Sequence, residues 1–192
     1  MVLLNNKWYV APLDINGGIL LPILLIVFLV PIIRQISKKK IQWQKDLLWG
    51  CFLLYLGLLL SITIFPIYIF GQSSPVYKIG FGKQVFINLS ISSLKEYLPI
   101  QLLGNVLLLT PFSFFMALHE KKFTKWLPNF LGLFLISLTI EFSQLILNYF
   151  YLGDRVFDIN DLLLNSIGGL LGLGAYKIVN KFFKSEVKIF QK

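Results

Sequence analysis

The chain has 192 residues, of which 56% are hydrophobic, 16% aromatic and only 14% charged. A water-soluble domain carries roughly 25% charged residues, so this chain lacks the charge to cover a surface facing water. Its 18 Lys and Arg against nine Asp and Glu leave a formal charge of +9. No basic stripe interleaved with exposed aromatics accompanies that charge on a soluble module, which excludes a nucleic-acid partner.

Apolar runs predict an all-α fold, a polytopic integral membrane bundle of five transmembrane helices forming one membrane domain over residues 1–192. Residues 15–33 are uncharged and predict an extra N-terminal helix near 16–33. Only Lys7 precedes it and no small-x-small cleavage pattern follows, so it reads as an uncleaved anchor. The basic stretch "RQISKKKIQWQKD" leads to a second uncharged run, 47–77, which predicts a helix over 48–70. In the loop 71–99 the segment "VYKIGFGKQVFINLS" predicts an interfacial hairpin, and its "GFGK" lacks the spacing of a phosphate-binding loop. Residues 97–118 predict a third helix over 100–118, kinked at Pro111 with Ser113 satisfying freed backbone groups. A run broken only by Glu141 predicts the fourth helix, 127–149. The fifth, 161–180, is completed by Lys177 reaching back to the headgroups. In the tail 177–192, Lys177, Lys181, Lys184 and Lys188 alternate with Phe182, Phe183, Val187 and Phe190. That pattern suits a basic amphipathic helix resting on anionic membrane lipids.

Loop charge sets an expected orientation. Residues 34–46, 119–126 and 177–192 hold 13 Lys and Arg, whereas 1–15, 71–99 and 148–160 hold five. The N-terminus is then expected outside and the C-terminus in the cytoplasm of a multi-pass bacterial plasma-membrane protein. One Cys and one His rule out an intramolecular disulfide and leave zinc almost no ligands. No metal and no cofactor are expected.

The polar residues inside the apolar runs fall into a pattern. Glu141, Gln144 and Asn148 share one face of the fourth helix, at i, i+3 and i+7. Asp158, Asp161 and Asn165 repeat that spacing at the start of the fifth. With the orientation above, both sets lie near the outer surface at the depth of Asn105, and Arg155 in the connecting hairpin can fold over them. Charge at such depth is costly unless paired or wetted and by default marks a site. A purely structural account stands beside this. Asp158 and Asp161 suit an N-cap and a first-turn acid, Glu141 could pair with Arg155, and the amides could join helices. For the two aspartates alone capping is the simpler account. The whole set points to a ligand-binding pocket of Asn105, Glu141, Gln144, Arg155, Asp158, Asp161 and Asn165. Arg155 would grip an anionic group, and Glu141 is the candidate general acid or base. Gly168 and Gly172 form a G-x-x-x-G strip for close helix packing.

The array Glu141-x-x-Gln144, Arg155-x-x-Asp158-x-x-Asp161-x-x-x-Asn165-x-x-Gly168-x-x-x-Gly172 resembles the VanZ-like membrane protein family. Asn105 with the following "VLLLTPF" resembles that family's Asn…Phe-x-Pro-Phe-Gly helix, and "TIFP" at Thr63 and "INL" at Ile87 echo its earlier segments. The resemblance covers about residues 55–176. Ser113 stands where the family usually has Gly, and no Pro follows Asn88-Leu89. The resemblance implies protection of a Gram-positive cell envelope against glycopeptide and lipoglycopeptide antibiotics such as teicoplanin. The implied partners are the antibiotic or a lipid-linked wall precursor. The alternative is an intramembrane enzyme or a transporter acting on such a precursor, for which a homo-oligomer could supply the path. No Ser/His or Cys/His pair is available for nucleophilic catalysis.

Overall fold

The computed structural model describes residues 2–4 and 7–191. Lys192, the last residue of the expected basic tail, lies outside the described residues, as do Met1, Asn5 and Asn6. Five helical stretches are long and apolar enough to cross a membrane: Gly17–Ser37, Trp43–Thr63, Pro99–His119, Trp126–Tyr149 and Ile159–Phe182. Large apolar side chains such as Leu21, Leu54, Leu107, Leu135 and Leu171 remain exposed on every one of them, as lipid-facing surfaces require. The chain is an all-α integral membrane protein. By contacts it gathers into two compact units, Met1–Phe86 with Ser143–Val156, and Ile87–Phe142 with Phe157–Lys192.

In the first unit, strands β1 (Val2–Leu4) and β2 (Lys7–Tyr9) form an antiparallel hairpin, and β3 (Leu13–Ile15) pairs antiparallel with β4 (Ile67–Ile69). Asn16 caps a short 3-10 turn by accepting the Gly18 N–H at 3.0 Å. That turn leads into α1 (Leu20–Ser37), which buries no residue and packs on α2 (Trp43–Thr63). Gly57 lets Leu24 approach α2: a Cβ there would lie 2.5 Å from the leucine Cδ1. The α1–α2 connector is pinned where Gln35 Nε2 donates to Asp46 Oδ1 at 2.7 Å and Gln35 Oε1 accepts the Gln42 N–H at 3.0 Å.

The second helix stops at Thr63, seven residues before the end expected from hydropathy. Pro66 supplies no N–H and forces Phe65 out of helical geometry, so the apolar residues beyond continue as β4. The expected hairpin in the 76–90 loop is also replaced. Ser74 caps α3 (Pro75–Lys78), accepting the Val76 N–H at 3.4 Å with Pro75 in the first turn. Gly80 and Gly82 then turn with φ of +90° and +77°. Val2, Leu4, Phe70, Val76 and Tyr151 form a small core under these segments. The end of α6 (Trp126–Tyr149) closes in a Schellman arrangement: the Leu152 N–H reaches Leu147 O at 2.8 Å and the Tyr151 N–H reaches Asn148 O at 3.1 Å. The residue that usually permits this turn is glycine. Here it is Tyr151, at φ +62°, fully buried and with its hydroxyl donating to the Gly80 carbonyl.

In the second unit, β5 (Ile87–Asn88) lies parallel to β6 (Phe157–Asp158), with Asn88 opposite Asp158. The third span is interrupted at Leu109, dividing α4 (Pro99–Leu108) from α5 (Thr110–His119). Pro111 sits in the first turn of α5, where its missing N–H is tolerated. Helix α7 (Ile159–Phe182) is the most enclosed, with ten buried residues, and packs chiefly on α4 and α5. Thr110 Oγ lies 2.9 Å from the Gly168 carbonyl, and Ser113 Oγ lies 2.6 Å from the Gly169 carbonyl and 2.8 Å from Asn129 Oδ1. The hydroxyl at position 113 therefore stitches α5 to its neighbours. The tail forms α8 (Lys184–Phe190), with Val187 buried and Phe182 and Phe183 exposed.

Candidate functional site

The start of α7 is built around Asp158. Its Oδ1 accepts the backbone N–H of Asn160 at 2.8 Å, the N-cap bond, and the Asn160 side-chain amide at 2.9 Å. Its Oδ2 accepts the Asn88 amide at 2.8 Å and the Tyr97 hydroxyl. Burial, followed by the bond to Asp158, pushes the Tyr97 hydroxyl well above its usual pKa, so it stays a donor. Asn160 continues the network to Ser93 Oγ at 2.7 Å and the Ser90 carbonyl at 3.0 Å.

Glu141, 2% exposed, accepts the backbone N–H of Asp158 at 3.0 Å through Oε2. In a capping box, an acid at the third helical position reaches back to that N–H. Here the third position is Asp161, but the bond comes from Glu141 on α6, and Asp161 Oδ1 accepts from the Asn105 amide. One turn deeper, the Asn165 amide donates to Ser137 Oγ at 3.0 Å. The second unit thus brings together Asn105, Glu141, Asp158, Asp161 and Asn165. It adds Asn88, Tyr97, Asn160 and Ser137, which sequence reasoning did not assign to the site.

Gln144 and Arg155 belong to the first unit and have a different task. The break after Thr63 leaves the last carbonyls of α2 without intrahelical partners. Gln144 Nε2 donates to Thr63 O at 2.8 Å, and Arg155 Nη2 to Ile62 O at 3.1 Å. A cation at a helix C-terminus also complements the dipole. Asn148 Nδ2 holds the Arg155 carbonyl at 2.8 Å, and Gln84 Nε2 holds the Asn148 and Gly153 carbonyls at 2.6 and 2.9 Å. Thr63, Phe65, Pro66, Gln144, Gly153, Asp154 and Arg155 line a shallow concavity. Arg155 is exposed there. Although Glu141, Gln144 and Asn148 lie on one face of α6, their hydrogen bonds go to three separate targets.

Gly168 and Gly172 lie against the third span. A Cβ at Gly168 would come 1.8 Å from Val106 O, and one at Gly172 would come 2.0 Å from Thr110 O. Gly169 faces Leu133 of α6 in the same manner, at 2.1 Å from its Cδ1. Among the described residues no group of three His, Cys, Asp or Glu side chains is arranged to hold a metal ion.

Asp158 offers a direct test of the network. Asp158→Ala removes acceptors for four donors and is expected to destabilise the purified protein by about 2–4 kcal/mol in thermal unfolding. Asp158→Asn keeps the cap but turns an NH2 group toward donors, so it should fall between Ala and wild type. Equal melting of Asn and wild type would mean that capping alone is what the carboxylate supplies.

A family model described as VanZ/LLP1 matches residues 52–180. Protein VanZ of Enterococcus faecium is 35% identical over 81 residues, 42% of this chain and 47% of that protein. The chain therefore aligns with about half the length of that curated relative. No solved structure matches. With the family match covering more than half of the chain and the whole polar array, the chain belongs to the VanZ/LLP1 family.

Proposed function

We propose that this protein protects the cell envelope against glycopeptide and lipoglycopeptide antibiotics such as teicoplanin. It acts at the outer face of the plasma membrane by holding an anionic, amide-bearing ligand, either the antibiotic or a lipid-linked wall precursor. Family membership and the likeness to Protein VanZ support the envelope role. The observation that carries the binding role is Arg155. One of its N–H groups is used on Ile62 O, while the exposed guanidinium borders the concavity beside Gln144 and Pro66. A planar fork with free donors suits a phosphate or carboxylate. The test is susceptibility to teicoplanin and vancomycin in a sensitive Gram-positive host expressing wild type or Arg155→Lys at equal folded levels.

This reading needs the N-terminus and the loops 71–99 and 150–160 outside. In a Cys51→Ser background, cysteines placed at the exposed Ser73 and Ser92 should react with impermeant maleimide in intact cells. Cysteines at Ser37 and Ser185 should react only after permeabilisation. The reverse pattern would overturn the orientation.

A further inference from the structure

The buried polar groups at the start of α7 leave only acceptors unmatched. Among the described residues, Glu141 and Asp158, 2% and 7% exposed, take their hydrogen bonds from neutral donors: two backbone N–H groups, two asparagine amides and a tyrosine hydroxyl. Asp161 adds a third carboxylate within electrostatic reach of Glu141. Beside them, Asn160 Oδ1 and Asn165 Oδ1 are buried with no donor, in residues 0% and 2% exposed.

The two orphaned oxygens belong to residues of the first two turns of α7, the helix that Asp158 caps. The Asn160 amide nitrogen is held on Asp158 Oδ1, which keeps its oxygen in the same cluster. Asn165 lies one turn beyond Asp161 on α7, and its nitrogen is held by Ser137, one turn before Glu141 on α6. Asn165 thus joins α7 to α6 one helical turn from Asp161 and from Glu141, with its own oxygen left unpartnered. Buried anions and unmet acceptors are both costly, and one species relieves both: a positive charge that accepts oxygen ligands.

We propose that the α6–α7 seam binds one monovalent cation, either an alkali-metal ion or the primary ammonium of a ligand. The Glu141 carboxylate, Asn165 Oδ1 and Ser137 Oγ would surround it. A divalent ion fits less well. Calcium and magnesium favour several carboxylates around one point, and no three acidic, His or Cys ligands converge among the described residues. One carboxylate with an amide oxygen and a hydroxyl matches a single charge.

The experiment is a melting series on the purified full chain in detergent, at constant chloride concentration and ionic strength. The cations are sodium, potassium, methylammonium and the bulky N-methylglucammonium. Binding to the folded state alone raises stability with concentration, so wild type should melt about 3–6 °C higher in a fitting cation than in N-methylglucammonium. A response to sodium or potassium alone assigns the site to a metal ion, and one to methylammonium assigns it to a ligand's ammonium. Glu141→Gln and Asn165→Ala should abolish the difference. Equal melting of wild type in all four salts would mean that the orphaned oxygens hold only water and would overturn the proposal. So would a cation dependence that survives in either variant. Should Glu141→Gln fail to fold, the wild-type series and Asn165→Ala still decide.

Discussion

Gly168→Ala is expected to remove most folded protein, and Gly172→Leu to do the same. The new Cβ at position 168 would lie 1.8 Å from the Val106 carbonyl oxygen, and at 172 it would lie 2.0 Å from that of Thr110. Both obstacles are backbone atoms of the third span, so no side-chain rotation relieves them. The helices must separate, and the bonds from Thr110 and Ser113 to the Gly168 and Gly169 carbonyls separate with them. Overpacking usually costs about 1–3 kcal/mol, and the loss of two interhelical hydrogen bonds, one of them buried, carries the total to about 3 kcal/mol or more. Gly174→Ala is the control, because nothing lies within 4 Å of a Cβ there. The measurement is the monodisperse fraction in size-exclusion chromatography of detergent extracts. Equal recovery of Gly168→Ala and Gly174→Ala would show that α7 does not need this close approach.

Hydropathy made the five spans legible because lipid contact demands long apolar runs, and it placed four of them within a few residues. The second span was misjudged for a physical reason. Residues 64–70 are as apolar as the helix before them, but a missing proline N–H leaves no trace in hydropathy. The cap at Asp158 was legible because capping is a local rule. Its remaining donors were not, because Asn88 and Tyr97 come from a distant loop. The partner of Glu141 was hidden more deeply still, since a backbone N–H has no sequence signature. Gln144 and Arg155 stood out as polar residues, yet their service to the end of α2 follows only from where that helix stops.

That service determines which substitutions separate binding from holding. Arg155→Ala would strand the Ile62 carbonyl, so lost resistance could reflect a weakened fold. Arg155→Lys retains the charge and one donor for that carbonyl while removing the planar fork. Glu141→Gln likewise retains an oxygen for the Asp158 N–H and removes the charge. Both variants are expected to accumulate, Arg155→Lys melting near wild type and Glu141→Gln near wild type in N-methylglucammonium, while teicoplanin susceptibility returns to that of the host carrying empty vector. The loss is expected to be larger than for a change at an exposed residue of the tail, such as Lys188→Gln. Resistance must be scored per folded molecule, using the size-exclusion peak of each variant. If Arg155→Lys and Glu141→Gln both keep full resistance at normal folded levels, their side chains only close helix ends, and ligand recognition must lie elsewhere on the protein.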